Sequence, residues 1–126
     1  MSTELARRAA DGDTSPEVVA WIADGLRRHL AGDDLEHAFG LDRASRLRER
    51  NQALRDAAAL LERDDGPWRC ACRLEVAVRR FEARIQPLLR RNPSAPLPPL
   101  DQALRRAFES GQRIPTTARN LHELIR

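Results

Sequence analysis

A chain of 126 residues has the length of one ordinary domain, and such a domain buries roughly two thirds of the surface its unfolded form exposes, so neither a metal nor a disulfide is needed to hold a core. Hydrophobic residues make up 41% of the chain and aromatic ones only 4%, which argues against a sheet-based core and for helices packed through Leu, Ala, Val and Ile. The net charge of +3 hides an asymmetry: residues 1–65 carry ten Arg against fourteen Asp and Glu, whereas residues 66–126 carry twelve against five, so a polyanion is expected to prefer the C-terminal half.

All 22 basic residues are Arg and none is Lys. This bias reads mainly as genomic base composition, although Arg is also the better fork for phosphate and carboxylate. No apolar run before Pro16 is long enough for a signal-peptide core, and no stretch of about 18 apolar residues suggests a membrane span. The chain is therefore expected to be cytoplasmic, with no membrane partner.

Residues 1–14, "MSTELARRAADGDT", read as a flexible or loosely docked N-terminus. A single helical domain is expected over 15–126. Its first helix opens at Ser15, a capping residue, followed by Pro16 at the first helical position and Glu17 at the positive end of the dipole. Val18, Val19, Ile22, Leu26 and Leu30 then recur at helical spacing, and Gly32 supplies a stop. "DDLEHAFGL" predicts a short helix ending at Gly40, after which Asp42 can cap again. From Arg43 to Arg63, Leu47, Leu54 and Leu61 recur every seven residues against a charged remainder, which predicts an amphipathic helix of five to six turns. Pro67 starts the next helix, with Leu74, Val78, Phe81 and Ile85 on one stripe, and Pro87 is expected to end or kink it.

Residues 15–91 thus form the expected helical core. Residues 92–99, within "RRNPSAPLPPL", form a semi-rigid Pro-rich connector. Residues 100–126 form a C-terminal helical hairpin too small to fold alone, which must dock on the rest. The predicted fold class is all-α, a compact bundle of five to six helices.

The hairpin carries the leading candidate site. In "ALRRAFESGQRIPTTARNLHELIR" one helix stops at Gly111 and a second is expected to restart at Pro115, a spacing akin to a DNA-reading helix-turn-helix. Arg105, Arg106, Arg113 and Arg119 are candidate phosphate contacts, and Thr116, Thr117 and Asn120 are candidate donors to phosphate or base edges at a helix N-terminus. The plainer reading is a solvated helical hairpin. A second helix-turn-helix candidate, "LEHAFGLDRASRLRERN", places charged Arg46 and Glu49 where apolar residues belong.

Chemistry finds little support. Asp33–Asp34 and Asp64–Asp65 stand before helices, where capping explains them. His29, His37 and His122 have no recurring spacing, and "CAC" is one residue short of a zinc hook. Cys70 and Cys72 read as free thiols that point in different directions. No catalytic residue, metal or cofactor is expected.

At "LEHAFGLDRASRLRERNQAL" and "AFESGQRIPTTARNLHELI" the chain resembles small, Arg-rich helical proteins encoded in prophages and mobile elements of GC-rich bacteria. The resemblance covers about half of the chain and implies an accessory protein of such an element, without assigning any residue a role. The expected function is non-enzymatic nucleic-acid binding, with DNA as partner through the basic C-terminal half. The alternative is a protein-binding module, an inhibitor or adaptor of a host or phage protein.

Overall fold

The computed structural model describes residues 1–61 and 65–126, and every regular element among them is helical. In chain order these are α1 (Ser2–Ala10), α2 (Pro16–Leu30), α3 (Leu35–Ala38), α4 (Arg43–Ala59), α5 (Pro67–Arg80), a π-helical turn (Phe81–Ile85), α6 (Gln86–Arg91), α7 (Pro99–Glu109) and α8 (Ala118–Ile125). Six have eight residues or more. The all-α bundle anticipated from composition and periodicity is the fold observed.

Local chemistry sets most of the boundaries. α2 starts at Pro16, and Gly32 follows its end with φ +116°, a conformation only glycine adopts without strain. Ser15 precedes the helix but its side chain does not cap it: Ser15 Oγ accepts a hydrogen bond from Arg8 instead. Asp42 does cap α4, accepting from the Ser45 amide at 3.4 Å and the Ser45 hydroxyl at 2.6 Å, and these bonds hold its carboxyl below its ordinary pKa. α4 ends at Ala59 rather than running to Arg63. Glu62, Arg63 and Asp64, which close that expectation and open the Asp64–Asp65 pair, lie outside the described residues. Asp65 itself is bound by Arg73 at 2.6 and 2.9 Å.

The helix begun at Pro67 passes through Pro87. Just before the proline the amide of Gln86 donates to the carbonyl of Phe81, five residues back. This widened turn absorbs the ring and the missing donor that would otherwise break an α-helix, so the axis continues to Arg91.

The core is centred on the second half of the chain. Leu54, Ala57 and Ala58 of α4, Leu74 and Val78 of α5, Phe81, Leu104 and Ala107 of α7, and Leu121 of α8 form one buried cluster. α7 lies along α4, and α8 lies chiefly on α5 with its edge on α4. The closing helices therefore complete the core, each against a different partner.

The leading helices sit to one side. α2 packs on α1 and α3, with Phe39 edge-on to Trp21 at 5.0 Å and pressed against Gly25. Of the apolar stripe that marks α2 in the sequence, only Val18 is fully buried, while Val19, Leu26 and Leu30 remain exposed. Residues 1–14, expected to be flexible or loosely docked, contain a formed helix tied down by polar contacts. Glu49 accepts from the Met1 ammonium, the Ser2 amide and the Thr3 hydroxyl, and Arg7 reaches Glu109 of α7 at 2.6 Å. No helix among the described residues is long and apolar enough to cross a membrane.

Candidate nucleic-acid interface

The candidate site begins where α7 ends. Ser110 turns back on the helix, its hydroxyl donating to the Ala107 carbonyl at 2.6 Å and accepting from the Gln112 amide at 3.3 Å. Gly111 follows with φ +75°. Ile114 is then drawn into the core, which stretches the chain, so Pro115 lies in the connector and is not the first residue of the last helix. The helix starts instead at Ala118, where Thr117 accepts from the Asn120 amide at 3.3 Å. A threonine oxygen can close the first turn, whereas proline merely fits there.

This geometry departs from a helix-turn-helix in three ways. The connector between α7 and α8 spans eight residues, Ser110 to Thr117, against the three or four of the DNA-reading motif. α7 packs chiefly on α4 and α8 chiefly on α5, rather than on each other. The N-terminus of α8 already holds a carboxylate, because Glu75 accepts from the Ala118 amide at 3.1 Å, in the place a phosphate would take. The alternative motif over Leu35–Asn51 fails as well, since α3 is only four residues long.

The seven candidate side chains fall into separate groups. Arg105 is bound to Glu109 at 2.8 Å and to the Pro93 carbonyl at 3.1 Å, and Arg106 faces Asp56 of α4 at 3.6 Å. Both lie on the α1–α7 side of the bundle with their charge opposed. Thr117 is used as the cap of α8. Arg113, Thr116 and Asn120 come together in one concavity with Ile114 and Pro115, and Arg119 stands exposed on the first turn of α8.

The concavity has a further member that charge counting by halves passed over. Arg50 of α4 borders it, donating through Nη1 to the Arg113 backbone carbonyl at 2.7 Å and through Nε and Nη2 to the Asn51 side-chain Oδ1 at 3.0 and 2.7 Å. Partial burial pulls its pKa below the ordinary arginine value. One turn earlier on the same face, Arg46 donates to the Leu41 carbonyl at 2.7 Å, with Nη1 3.4 Å from where a Cβ on Gly111 would stand. Arg43, Arg46 and Gln112 then line a neighbouring concavity, together with Leu41 and Glu36. The spacing 43, 46, 50 is a single helical stripe, so the row was visible in the sequence; which face of α4 meets the connector was not.

The connector is held from both sides. Arg50 fixes it at Arg113, Arg79 of α5 approaches the Thr116 carbonyl at 3.5 Å, and Glu75 holds Ala118. Elsewhere, Cys70 is buried with its thiol 3.6 Å from the Ala58 carbonyl, and Cys72 is partly exposed. Among the described residues no group of three or more His, Cys, Asp or Glu side chains is placed to hold a metal ion.

No protein-family model, curated protein or solved structure matches this chain.

Proposed function

We propose that the protein is a non-enzymatic, nucleic-acid-binding accessory protein, of the kind its resemblance to mobile-element proteins implies, which contacts DNA through Arg113, Thr116, Arg119 and Asn120. The observation that carries this reading is the concavity at the α7–α8 connector: it is lined by Arg50 and Arg113 with a hydroxyl and an amide, and no carboxylate lines it. Arginine charge without a local counter-charge attracts phosphate and releases counterions when phosphate arrives. The test is fluorescence anisotropy with labelled duplex DNA at several salt concentrations. Micromolar binding with a log–log slope of about three or more is expected, each phosphate contact adding about 0.9. Replacement of Arg113 and Arg119 together by Ala should weaken binding and flatten the slope; unchanged values would refute the assignment.

A second reading, a protein-binding module, is favoured by α2, whose Leu30 is 84% and Val19 52% exposed, since clustered exposed apolar side chains mark interaction surfaces. A stoichiometric partner recovered after nuclease treatment, and lost with Leu26→Arg and Leu30→Arg, would support it over DNA binding.

A further inference from the structure

We infer that the DNA-contacting surface is a two-walled track whose second wall is α4, with Arg43, Arg46 and Arg50 as phosphate contacts, and that its ligand is the backbone of a duplex held without reading its bases. The inference rests on the reading above and extends it to residues that lie in the acidic half of the sequence.

Arg46 stands beside Gly111 and Arg50 bonds the carbonyl of Arg113, so the α4 row runs alongside the connector and the two concavities follow one another along it. Arg43 and Arg50 are seven residue steps apart, about 10 Å of helix, which matches the axial length of about three phosphates of one strand.

Arg7, Arg8, Arg27, Arg28, Arg79, Arg80, Arg105, Arg106 and Arg126 each face a carboxylate. Arg43, Arg46, Arg50 and Arg113 have no carboxylate partner among the described residues, and the guanidinium bonds of Arg46 and Arg50 go to neutral oxygens. Glu36, which lines the concavity of Arg43 and Arg46, is the one acid lining either concavity. A partly desolvated cation bonded only to neutral oxygens gains most from an incoming anion.

The type of nucleic acid follows from what lines the track. Neither concavity contains an aromatic side chain, and single strands are held by stacking bases on aromatic rings. Major-groove reading needs a helix end free to enter the groove, but the first turn of α8 is closed by Glu75 and Thr117. What is left is a positively charged, pre-positioned edge suited to a regular phosphate array.

The test compares two double variants that remove the same charge. Arg43→Gln with Arg46→Gln strips the proposed wall. Arg48→Gln with Arg91→Gln removes two exposed arginines elsewhere; Arg48 lies two residues from Arg46, roughly 200° around α4, and its side chain bonds Ser45. With a labelled duplex of mixed sequence, the first pair should lower the salt slope by about two, while the second leaves it within experimental error. Should Arg46→Gln disturb folding through its Leu41 contact, Arg43→Gln alone should lower the slope by about one. Equal losses in both pairs would mean a net-charge effect and overturn the wall. A slope sensitive to Arg113 and Arg119 but not to Arg43 and Arg46 would overturn the wall and leave the C-terminal reading standing; no duplex binding by the unaltered protein would end both. A single strand of equal length binding as tightly as the duplex would overturn the duplex assignment.

Discussion

Gly25 sits mid-helix on α2, where alanine would ordinarily be the better residue by up to about 1 kcal/mol. A Cβ at this position would lie 2.4 Å from the Phe39 ring, a contact that forces the ring or the helix to move. Overpacking of this kind costs about 1–3 kcal/mol, so Gly25→Ala should destabilise α2–α3, read as faster amide exchange there. In a Phe39→Ala background the same change should become neutral or stabilising, and a double-mutant cycle showing no such reversal would rule out the ring as the cause. Glu49 offers a pH test. Its burial pushes its pKa up, but hydrogen bonds from Thr3 and the bond and charge of the chain's amino group outweigh that and hold it below the ordinary 4.5. A depressed carboxylate pKa stabilises the folded state above the unfolded pKa, and that contribution is lost as pH falls through the folded one. The contacts holding Ser2 and Thr3 should therefore loosen as pH drops below 4.5, seen as falling protection factors at their amides relative to intrinsic exchange, and Glu49→Gln should remove this pH step. Asp13, held at about 2 by the Ser15 amide and Arg8, keeps the other end of α1 fixed until pH falls toward that value.

Periodicity located helices well and assigned their burial less well. Pro16, Asp42 and Pro67 marked three helix starts because proline geometry and side-chain capping are local effects. Pro87 and Pro115 carried equally strong local signals that tertiary structure overrode, the first by a π turn and the second by burial of Ile114. Which apolar stripe becomes core depends on partners distant in sequence, and here α2, with the cleanest stripe, is peripheral, while the small closing helix α7 is central. Truncation distinguishes the two. Leu104→Ala, at a fully buried α7 position, should cost about 2–5 kcal/mol in denaturant unfolding through loss of transfer energy and the cavity left behind. Leu26→Ala on α2, 46% exposed, should fall within about 0.5 kcal/mol of the unaltered protein. A larger cost at Leu26 than at Leu104 would place the core in the leading helices instead.

Charge is sorted by the fold in a way that linear counting cannot follow. Residues 1–65 are net acidic, yet three arginines of α4 border the same connector as Arg113, while Arg105 and Arg106 from the basic half turn toward Glu109 and Asp56. The candidate site was therefore half legible: the connector, Arg113, Thr116 and Asn120 were indicated by composition and turn signals, but the α4 row needed the knowledge that α4 and the connector are neighbours. Neutralised arginines contribute little to the field at a polyanion, because the partner carboxylate cancels the charge beyond a few ångströms and salt screens the remainder. Arg105→Gln with Arg106→Gln should consequently leave the salt slope for duplex DNA nearly unchanged, although it removes as much formal positive charge as Arg113→Ala with Arg119→Ala. Glu109 keeps Arg7, but Asp56 loses its arginine and makes the surface locally more acidic, so a modest loss of affinity at low salt is expected with the slope preserved. Equal slope losses from the two pairs would instead mean that DNA responds to the net charge of the whole molecule, and the sorting of arginines between paired and unpaired faces would carry no functional weight.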